Sequence, residues 1–236
     1  MSDTHDATPD VPTATIDEVE ARIIGCLLEK ERTTPAEYPL TANALMRACN
    51  QTTSRDPVVA YDERLVESTL AELKTRGLVR FVHSPSNRAT KYRQVAEEAW
   101  SLQPDEAAVI CLLLLRGAQT NGELRTRAER LHTFDSVDAV EATLARLAGR
   151  TPAMVLGLER APGQKERRWV QLLTGTPSAE QLAAAAAGAA ARPPRRAADD
   201  ELLARLDAQD RRIGELEAQL LHLRSVLEEL AGPLDQ

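Results

Sequence analysis

The chain has 236 residues, of which 43% are hydrophobic and 28% charged, and this composition excludes collagen-like, disulfide-stapled and wholly disordered proteins. Only 3% of the residues are aromatic, so the core must be mostly aliphatic. The net charge of -7 argues against a protein that binds nucleic acid through its overall charge, because the binding surface of such a protein is expected to be basic.

The negative charge is concentrated at the two ends of the chain. Residues 1–16 hold three acids and no base, and residues 176–236 hold 11 acids and seven bases. Residues 17–100 (13 acids, 12 bases) and residues 101–175 (nine acids, ten bases) are nearly neutral. The global charge therefore does not exclude a local basic surface, and residues 1–16 are interpreted as a disordered acidic tail.

The middle of the chain contains an internal repeat. The segment from Val66 to Arg76 aligns with the segment from Val140 to Arg150, and seven of the eleven positions are identical. Shorter matches precede and follow this segment in the same order but at different spacings. Matched segments joined by loops of different length indicate a duplicated domain.

In the first copy, Thr15-x-x-Glu18 has capping-box spacing and predicts a helix to about Glu31. A second helix is predicted from about Thr41 to Cys49. A third begins at the N-cap residue Asp62, ends before Gly77, and directs four aliphatic residues inward. These are Leu65, Val66, Leu70 and Leu73. Strands at Leu78–His83 and Ala89–Val95, joined by a turn at 85–87, complete the copy.

The second copy shows the same order of elements. Helices are predicted at Asp105–Arg116, from Thr120-x-x-Glu123 to about Arg130, and at Ser136–Arg150. The inward residues of the third are Val137, Val140, Leu144 and Leu147. Strands at Met154–Arg160 and Lys165–Leu173 flank a turn at Pro162-Gly163.

Three helices followed by a β-hairpin form the winged-helix arrangement, which is related to the helix-turn-helix. The predicted fold class is therefore mainly α with small β-hairpins. It comprises two tandem winged-helix domains, at 17–100 and 101–175, and a C-terminal coiled-coil helix. An Ala-rich segment interrupted by Pro193-Pro194 predicts a linker over 176–198.

Residues 199–232 carry a heptad repeat, with eight of nine seam positions apolar. In a parallel dimer, Arg205 would face Asp210 and Arg212 would face Glu217. This pattern predicts a homodimer, although one amphipathic helix folded back on the winged helices remains an alternative. The predicted dimerisation residues are Leu202, Leu206, Ile213, Leu216, Leu220, Leu223, Leu227 and Leu230.

Several ungapped blocks resemble the YceH family of bacterial proteins. They include the run from Glu20 to Lys30, Thr33-Thr-Pro35, Tyr38-Pro-Leu40, Ala48-Cys-Asn-Gln51, Asn87–Tyr92 and Leu114–Arg125. The resemblance covers roughly residues 17–174 and implies tandem winged helices. It implies no catalytic or ligand-binding residues.

No pattern in the sequence indicates catalysis, a metal site or a cofactor. Phosphate-loop, nucleophile-elbow and zinc-protease motifs are absent, and the four histidines lack ligand spacing. Cys26, Cys49 and Cys111 lie far apart in the sequence and are predicted to be buried free thiols, as in a cytoplasmic protein. No signal peptide or membrane-spanning run is predicted.

Positive charge is concentrated in the two hairpins and the second helix of the second copy. The candidate nucleic-acid contacts are Arg88, Lys91, Arg93, Arg125, Arg127, Lys165, Arg167 and Arg168. Contacts of this kind would bind the DNA backbone with salt-sensitive affinity, unless these side chains are merely solvated. The third helices are close to neutral and offer few side chains for reading bases.

Two functional hypotheses follow from these patterns. The first is a dimeric DNA-binding protein resembling a transcription regulator. The second is a scaffold that uses winged helices to dock a protein partner. The long connection Asn50–Ala60 is interpreted either as a functional loop or as a packed irregular loop in which Asn50 caps a helix.

Overall fold

The structure, a computed structural model, describes residues 16–82, 89–160 and 166–178 and the single positions 209, 212, 216, 219, 220, 223 and 226. The chain divides into two compact units, Met1–Ala189 and Ala190–Gln236. Within the described part of the first unit, the same order of helices and strands occurs twice.

The first repeat consists of α1 (Glu18–Thr33), β1 (Leu40–Thr41), α2 (Ala42–Cys49), α3 (Glu63–Thr75), β2 (Val79–Val82) and β3 (Lys91–Gln94). A short helix, α4 (Ala96–Ala99), follows it. The second repeat consists of α5 (Pro104–Arg116), β4 (Gln119–Thr120), α6 (Asn121–Ala128), α7 (Val137–Ala148), β5 (Val155–Gly157) and β6 (Arg168–Gln171). Each repeat has an antiparallel three-stranded sheet, in the order β1-β3-β2 or β4-β6-β5. This mixed α/β arrangement is consistent with a winged-helix-like fold.

Most helices begin where their capping residues predict. The side chains of Asp62, Thr120 and Ser136 each accept a hydrogen bond from the backbone three residues later. The box predicted at Thr15 and Glu18 was wrong, because α1 begins at Glu18. The box of α1 instead joins Asp17 to Glu20, with reciprocal bonds of 2.8 Å.

The inner faces of the third helices differ from the prediction at one residue each. Leu65 and Val137, both predicted to be inward, are 38% and 39% exposed, whereas Thr69 and Thr143 are buried. Each threonine hydroxyl donates to the carbonyl four residues earlier, at 2.8 Å and 3.0 Å. Because these bonds satisfy the hydroxyls, the two threonines can occupy the core at low cost.

The two repeats are joined through α1 and α5, and one cluster of buried side chains extends through both. Gly25 of α1 allows the close approach, since a Cβ there would lie 2.9 Å from the Leu115 side chain and 3.3 Å from Leu114. The Cys111 thiol also donates to the Gly25 carbonyl at 3.3 Å. The first helices of the two repeats therefore share a core.

In the second unit, the seven described positions are all helical. Three of the heptad leucines, Leu216, Leu220 and Leu223, are 47%, 66% and 57% exposed. The other predicted dimerisation residues lie outside the described residues: Leu202, Leu206, Ile213, Leu227 and Leu230. Within the described part of the chain, no helix combines the length and apolar character needed to span a bilayer.

Candidate functional site

The predicted basic residues of the first hairpin are only partly free to meet a ligand. Lys91 and Arg93 both lie on β3, and Arg93 forms an ion pair of 2.9 Å with Glu98. Arg88 lies outside the described residues, as does Lys165 of the second hairpin. No acidic partner of Lys91 occurs among the residues that the structure describes.

In the second repeat, most of the predicted basic residues bind other parts of the fold. Arg125 donates to the carbonyls of Phe134 and Asp135, at 3.3 Å each. Arg127 donates to Gln119 at 2.7 Å and to Glu123 at 3.4 Å. These two arginines therefore hold the last turn of α6 against neighbouring chain segments.

Glu123 also binds Arg168, which donates to its carboxylate at 2.9 Å and to the Ala118 carbonyl at 2.6 Å. Burial would raise the pKa of Glu123, but the Thr120 amide and the charges of Arg127 and Arg168 hold it below its usual value. The carboxylate therefore stays charged and keeps both guanidinium groups engaged.

Arg167 differs from these arginines because it is exposed. Its guanidinium carbon lies 5.8 Å from the centre of the Trp169 ring, a distance at which a cation–π contact is weakly favourable. Of the six predicted contact residues that are described, four serve internal hydrogen bonds or ion pairs. Lys91 and Arg167 are the two that keep an outward charge.

The two sheets differ in chemistry at equivalent positions. On the outer face, Arg80 pairs with Arg93 across β2 and β3, whereas the matching pair in the second sheet is Leu156 with Val170. Lys91 pairs with Thr41 as Arg168 pairs with Thr120. In the first repeat, the position on α2 equivalent to Glu123 is Ala44, three residues after the N-cap. Lys91 therefore lacks the acid that neutralises Arg168. Among the described residues, the outer face of the first sheet therefore carries Arg80, Arg93 and Lys91, whereas the matching positions of the second sheet are Leu156, Val170 and the neutralised Arg168.

The third helices expose charged residues and one aliphatic side chain in their first two turns. On α3, Glu63, Arg64, Leu65 and Glu67 are exposed. On α7, Val137, Asp138 and Glu141 are exposed, and in the repeat these three correspond to Glu63, Arg64 and Glu67. Glu67 and Glu141 occupy the same position in the repeat, five residues after the N-cap. These surfaces were absent from the predicted site, because the third helices were judged close to neutral, with few side chains for reading bases, and Leu65 and Val137 were assigned to the core.

The far ends of the third helices are held by a pair of equivalent ion pairs. Arg76 contacts Glu20 at 2.5 Å, and Arg150 contacts Glu106 at 2.6 Å. Both glutamates are buried at the start of the first helix of their repeat. Each third helix is therefore held to the first helix of its repeat at its C-terminal end.

The connection between α2 and α3 is packed and extensively hydrogen-bonded. The Asn50 side chain binds both the amide and the carbonyl of Tyr61, at 2.8 Å each, which closes the loop. The Arg22 side chain donates to the Pro57 carbonyl at 2.5 Å. These contacts favour the packed-loop interpretation, with Asn50 as the C-cap residue of α2.

Arg55 anchors the middle of this loop inside the protein. Its side chain has no exposed area and forms a double hydrogen bond with Glu29, at 3.1 Å and 2.7 Å. It also donates to the Ala48 carbonyl at 3.0 Å and to Gln51 at 2.7 Å. Burial would raise the pKa of Glu29, but the charges of Arg55 and Lys30 lower it to about 2.

Among the described residues, no group of three or more His, Cys, Asp or Glu side chains could hold a metal ion. His132 packs against Phe134, with ring centres 4.7 Å apart. The other three histidines, His5, His83 and His222, lie outside the described ranges.

Comparison with known proteins identifies the family. The family model described as "Protein of unknown function, DUF480" matches residues 16–164. The chain belongs to this family. The assignment confirms the resemblance to the YceH family.

Relatives from several bacteria support the assignment. A UPF0502 protein of Geotalea daltonii is 49% identical over 169 residues, which cover 71% of this chain and 77% of the relative. Two alignments extend over nearly all of both chains. A UPF0502 protein of Azoarcus sp. is 41% identical over 98% of this chain and 96% of its own. A UPF0502 protein of Cronobacter sakazakii is 42% identical over 92% of this chain and 97% of its own.

Proposed function

We propose that the protein is a non-enzymatic interaction protein in which two winged-helix units, 17–100 and 101–175, dock a protein partner. The partner surface is basic and contains an apolar site. The observation that carries this proposal is the exposed Glu at the same position of both third helices, Glu67 and Glu141. Each helix also exposes one aliphatic residue in its first turn, Leu65 or Val137.

Electrostatics at the third helices favour a protein over DNA. A winged helix that reads bases places its third helix in the major groove, between two rows of phosphates. Acids in the first turn, such as Glu63 and Asp138, stabilise the helix by interacting with its dipole, and this structural role by itself explains their presence. Glu67 and Glu141 lie beyond that turn, where the dipole contributes little. Their charges would repel phosphates and attract a basic partner.

The aliphatic side chains supply the second part of the surface. Leu65 and Val137 are exposed at 38% and 39%, so a partner that covers them removes apolar area from water. Protein interfaces typically combine such an apolar centre with a charged rim. On α7, Val137 lies one turn before Glu141, so this helix offers a small apolar site beside an acid. On α3, Leu65 and Glu67 are two residues apart and lie on different sides of the helix.

The test is to place a photo-activated cross-linker at Ser68 of α3 in the full-length protein, in the cells that produce it naturally. We expect one protein to be cross-linked in a stoichiometric adduct. Glu67→Lys should lower the yield about tenfold or more, which corresponds to about 1.4 kcal/mol of lost binding. Glu129→Lys is the matched control, since it makes the same charge change at an exposed acid at the end of α6, and it should leave the adduct intact.

A second candidate function, DNA backbone binding, is favoured by the first hairpin. Arg80 is exposed and Lys91 has no acidic partner among the described residues, so the outer face of this sheet could contact phosphates. Under this alternative, the Ser68 adducts would be sensitive to nuclease. Glu67→Lys would increase them and Lys91→Ala would reduce them, and that result would contradict the protein-docking proposal.

The proposal includes a homodimer formed through the C-terminal heptads. Leu216, Leu220 and Leu223 recur at the helical spacing of a coiled-coil seam and are exposed in the single chain. A second copy of the same helix would cover them, and the linker at 176–198 would connect it to the winged helices. Opposite charges at Arg205 and Asp210 favour pairing between two parallel copies.

Light scattering of the eluting protein tests the dimer. The double variant Leu216→Asp with Leu223→Asp is expected to have half the mass of the wild type, because two charges would be buried in the seam. The control, Ala218→Asp with Ser225→Asp, adds the same charges at heptad positions opposite the seam and should keep the wild-type mass. This part of the proposal would be overturned if the wild type were monomeric, or if the Leu216→Asp, Leu223→Asp variant stayed dimeric like its control.

A further inference from the structure

The connection between the second and third helices is longer in the first repeat than in the second. Residues 50–62 separate α2 from α3, whereas only residues 129–136 separate α6 from α7. The shorter connection turns Phe134 inward, where it is buried. In the longer one, Pro57 is exposed and Val58 is 55% exposed, and these two residues are the tip of the loop. The additional residues therefore present an apolar tip to the outside.

The backbone of this loop is held by side chains that are themselves buried. Arg22 is buried and donates to the Pro57 carbonyl at 2.5 Å. Arg55, whose side chain has no exposed area, lies two residues before Pro57. Between them, the Asp56 amide donates to the Leu115 carbonyl at 2.9 Å. The tip is therefore fixed against α1 and α5.

This way of holding the loop favours a fixed tip more than it favours stability. Taking charges such as Arg22 and Arg55 out of water costs free energy that their partners only partly recover. Exposing Val58 adds no stability either, because the favourable free energy comes from removing apolar area from water. A tip that is already fixed, however, loses less conformational entropy when a partner binds it.

The surface that continues from the tip into α3 is acidic. Between residues 56 and 67, four exposed acids and one exposed base occur: Asp56, Asp62, Glu63, Glu67 and Arg64. The Asp62 carboxylate accepts from the amide of Leu65 at 2.8 Å, which joins the end of the loop to the first turn of α3. Leu65 is exposed as well. Apolar side chains thus lie among negative charges along this segment.

We propose that the tip is the main apolar contact of the docking surface, so that the first repeat is the stronger of the two docking sites. This inference rests on the proposed function and specifies its partner more closely, as a protein with an apolar pocket for Val58 inside a basic surface. Charge complementarity selects this occupant. A second copy of the chain would bring the same four acids against one another, and a phosphate backbone would be repelled by them.

The test places a photo-activated cross-linker at Ala60, an exposed residue two positions after Val58, in the full-length protein and in the cells that produce it naturally. We expect an adduct with the same protein that Ser68 captures. Peptide mapping of the adduct should find the joined site of the partner among lysines and arginines. A joined site among acids would overturn the proposal.

Three comparisons measure the contribution of the tip. Val58→Ser should lower the Ala60 adduct about tenfold or more, because burial of the valine in the partner is lost. Leu156→Ser is the matched control, since it removes an exposed aliphatic side chain from β5 of the second repeat and should leave the yield unchanged. The cross-linker at Thr133, which is exposed in the shorter connection, should give about one tenth of the yield or less.

The outcomes separate this inference from the proposed function. Adducts from Ser68 but none from Ala60, or a Val58→Ser yield equal to that of the wild type, would overturn the inference alone. Adducts from Ala60 but none from Ser68 would keep the tip as the contact and overturn the role of α3. Val58→Ser should also have the wild-type urea midpoint, because the side chain is exposed, and a lower midpoint would mean that the tip serves stability instead.

Discussion

Arg55→Met is expected to lower the free energy of unfolding by about 3–5 kcal/mol. The substitution removes the guanidinium that binds Glu29 at two points and leaves that mostly buried carboxylate with Lys30, at 3.3 Å, as its remaining cationic partner. It also removes the donor to Ala48 that holds the α2–α3 loop in place. Urea denaturation at neutral pH, followed by circular dichroism, measures this difference.

The double variant Arg55→Met with Glu29→Met is the control. It removes both charges and fills the same space with apolar atoms, so it should recover much of the lost stability. A double variant no more stable than Arg55→Met alone would show that the loop contacts, rather than the loss of Arg55 from the buried carboxylate, carry the effect.

The pH dependence provides a second measure of the same pair. The pKa of Glu29 is lowered from 4.5 to about 2, so its ionised form is stabilised in the folded protein. Its contribution, on the order of 3 kcal/mol, is present above pH 4.5 and is lost as the pH falls towards 2. In Arg55→Met this component of acid sensitivity should be smaller, because only Lys30 remains to lower the pKa of Glu29.

Gly25→Val is expected to destabilise the protein by on the order of 3 kcal/mol, because it overpacks the contact between α1 and α5. Even a single added Cβ would lie 2.9 Å from Leu115, whose side chain is itself fully buried and cannot move aside. The effect should exceed the small gain in helix propensity when glycine is replaced. Thermal and urea denaturation both measure it.

Gly122→Val is the matched control for this prediction. Gly122 is also helical, but a Cβ there would meet only the Glu166 side chain, at an ordinary contact distance of 3.7 Å. Its stability should stay within about 0.5 kcal/mol of the wild type. Equal losses in the two variants would mean that glycine itself, rather than the packing of α1 on α5, determines the cost.

Several features of the fold could be predicted from short-range patterns. The repeat between residues 66–76 and 140–150 shows that two units share one plan, and capping residues such as Asp62 and Ser136 mark where their third helices begin. Apolar residues at helical spacing locate the helices. The strands β1 and β4 were not predicted, because two residues are too few to show any periodicity.

The basic residues illustrate what such patterns could not supply. Arg125, Arg127 and Arg168 form a conspicuous cationic group in the sequence, yet each binds a carbonyl or carboxylate of the fold. Glu123, which engages two of them, lies 45 residues from Arg168. Their partners could be known only once the hairpin had been placed against α6.

The sequence by itself determined the order of the main helices and hairpins, the duplication and the heptad pattern, since these depend on neighbouring residues and on periodicity. Only the tertiary structure decided which charges remain outward, which side of each third helix is exposed, and that Arg55 lies buried against Glu29. Those properties depend on contacts between residues far apart in the chain, where burial and neighbouring charge, rather than residue type, set the chemistry.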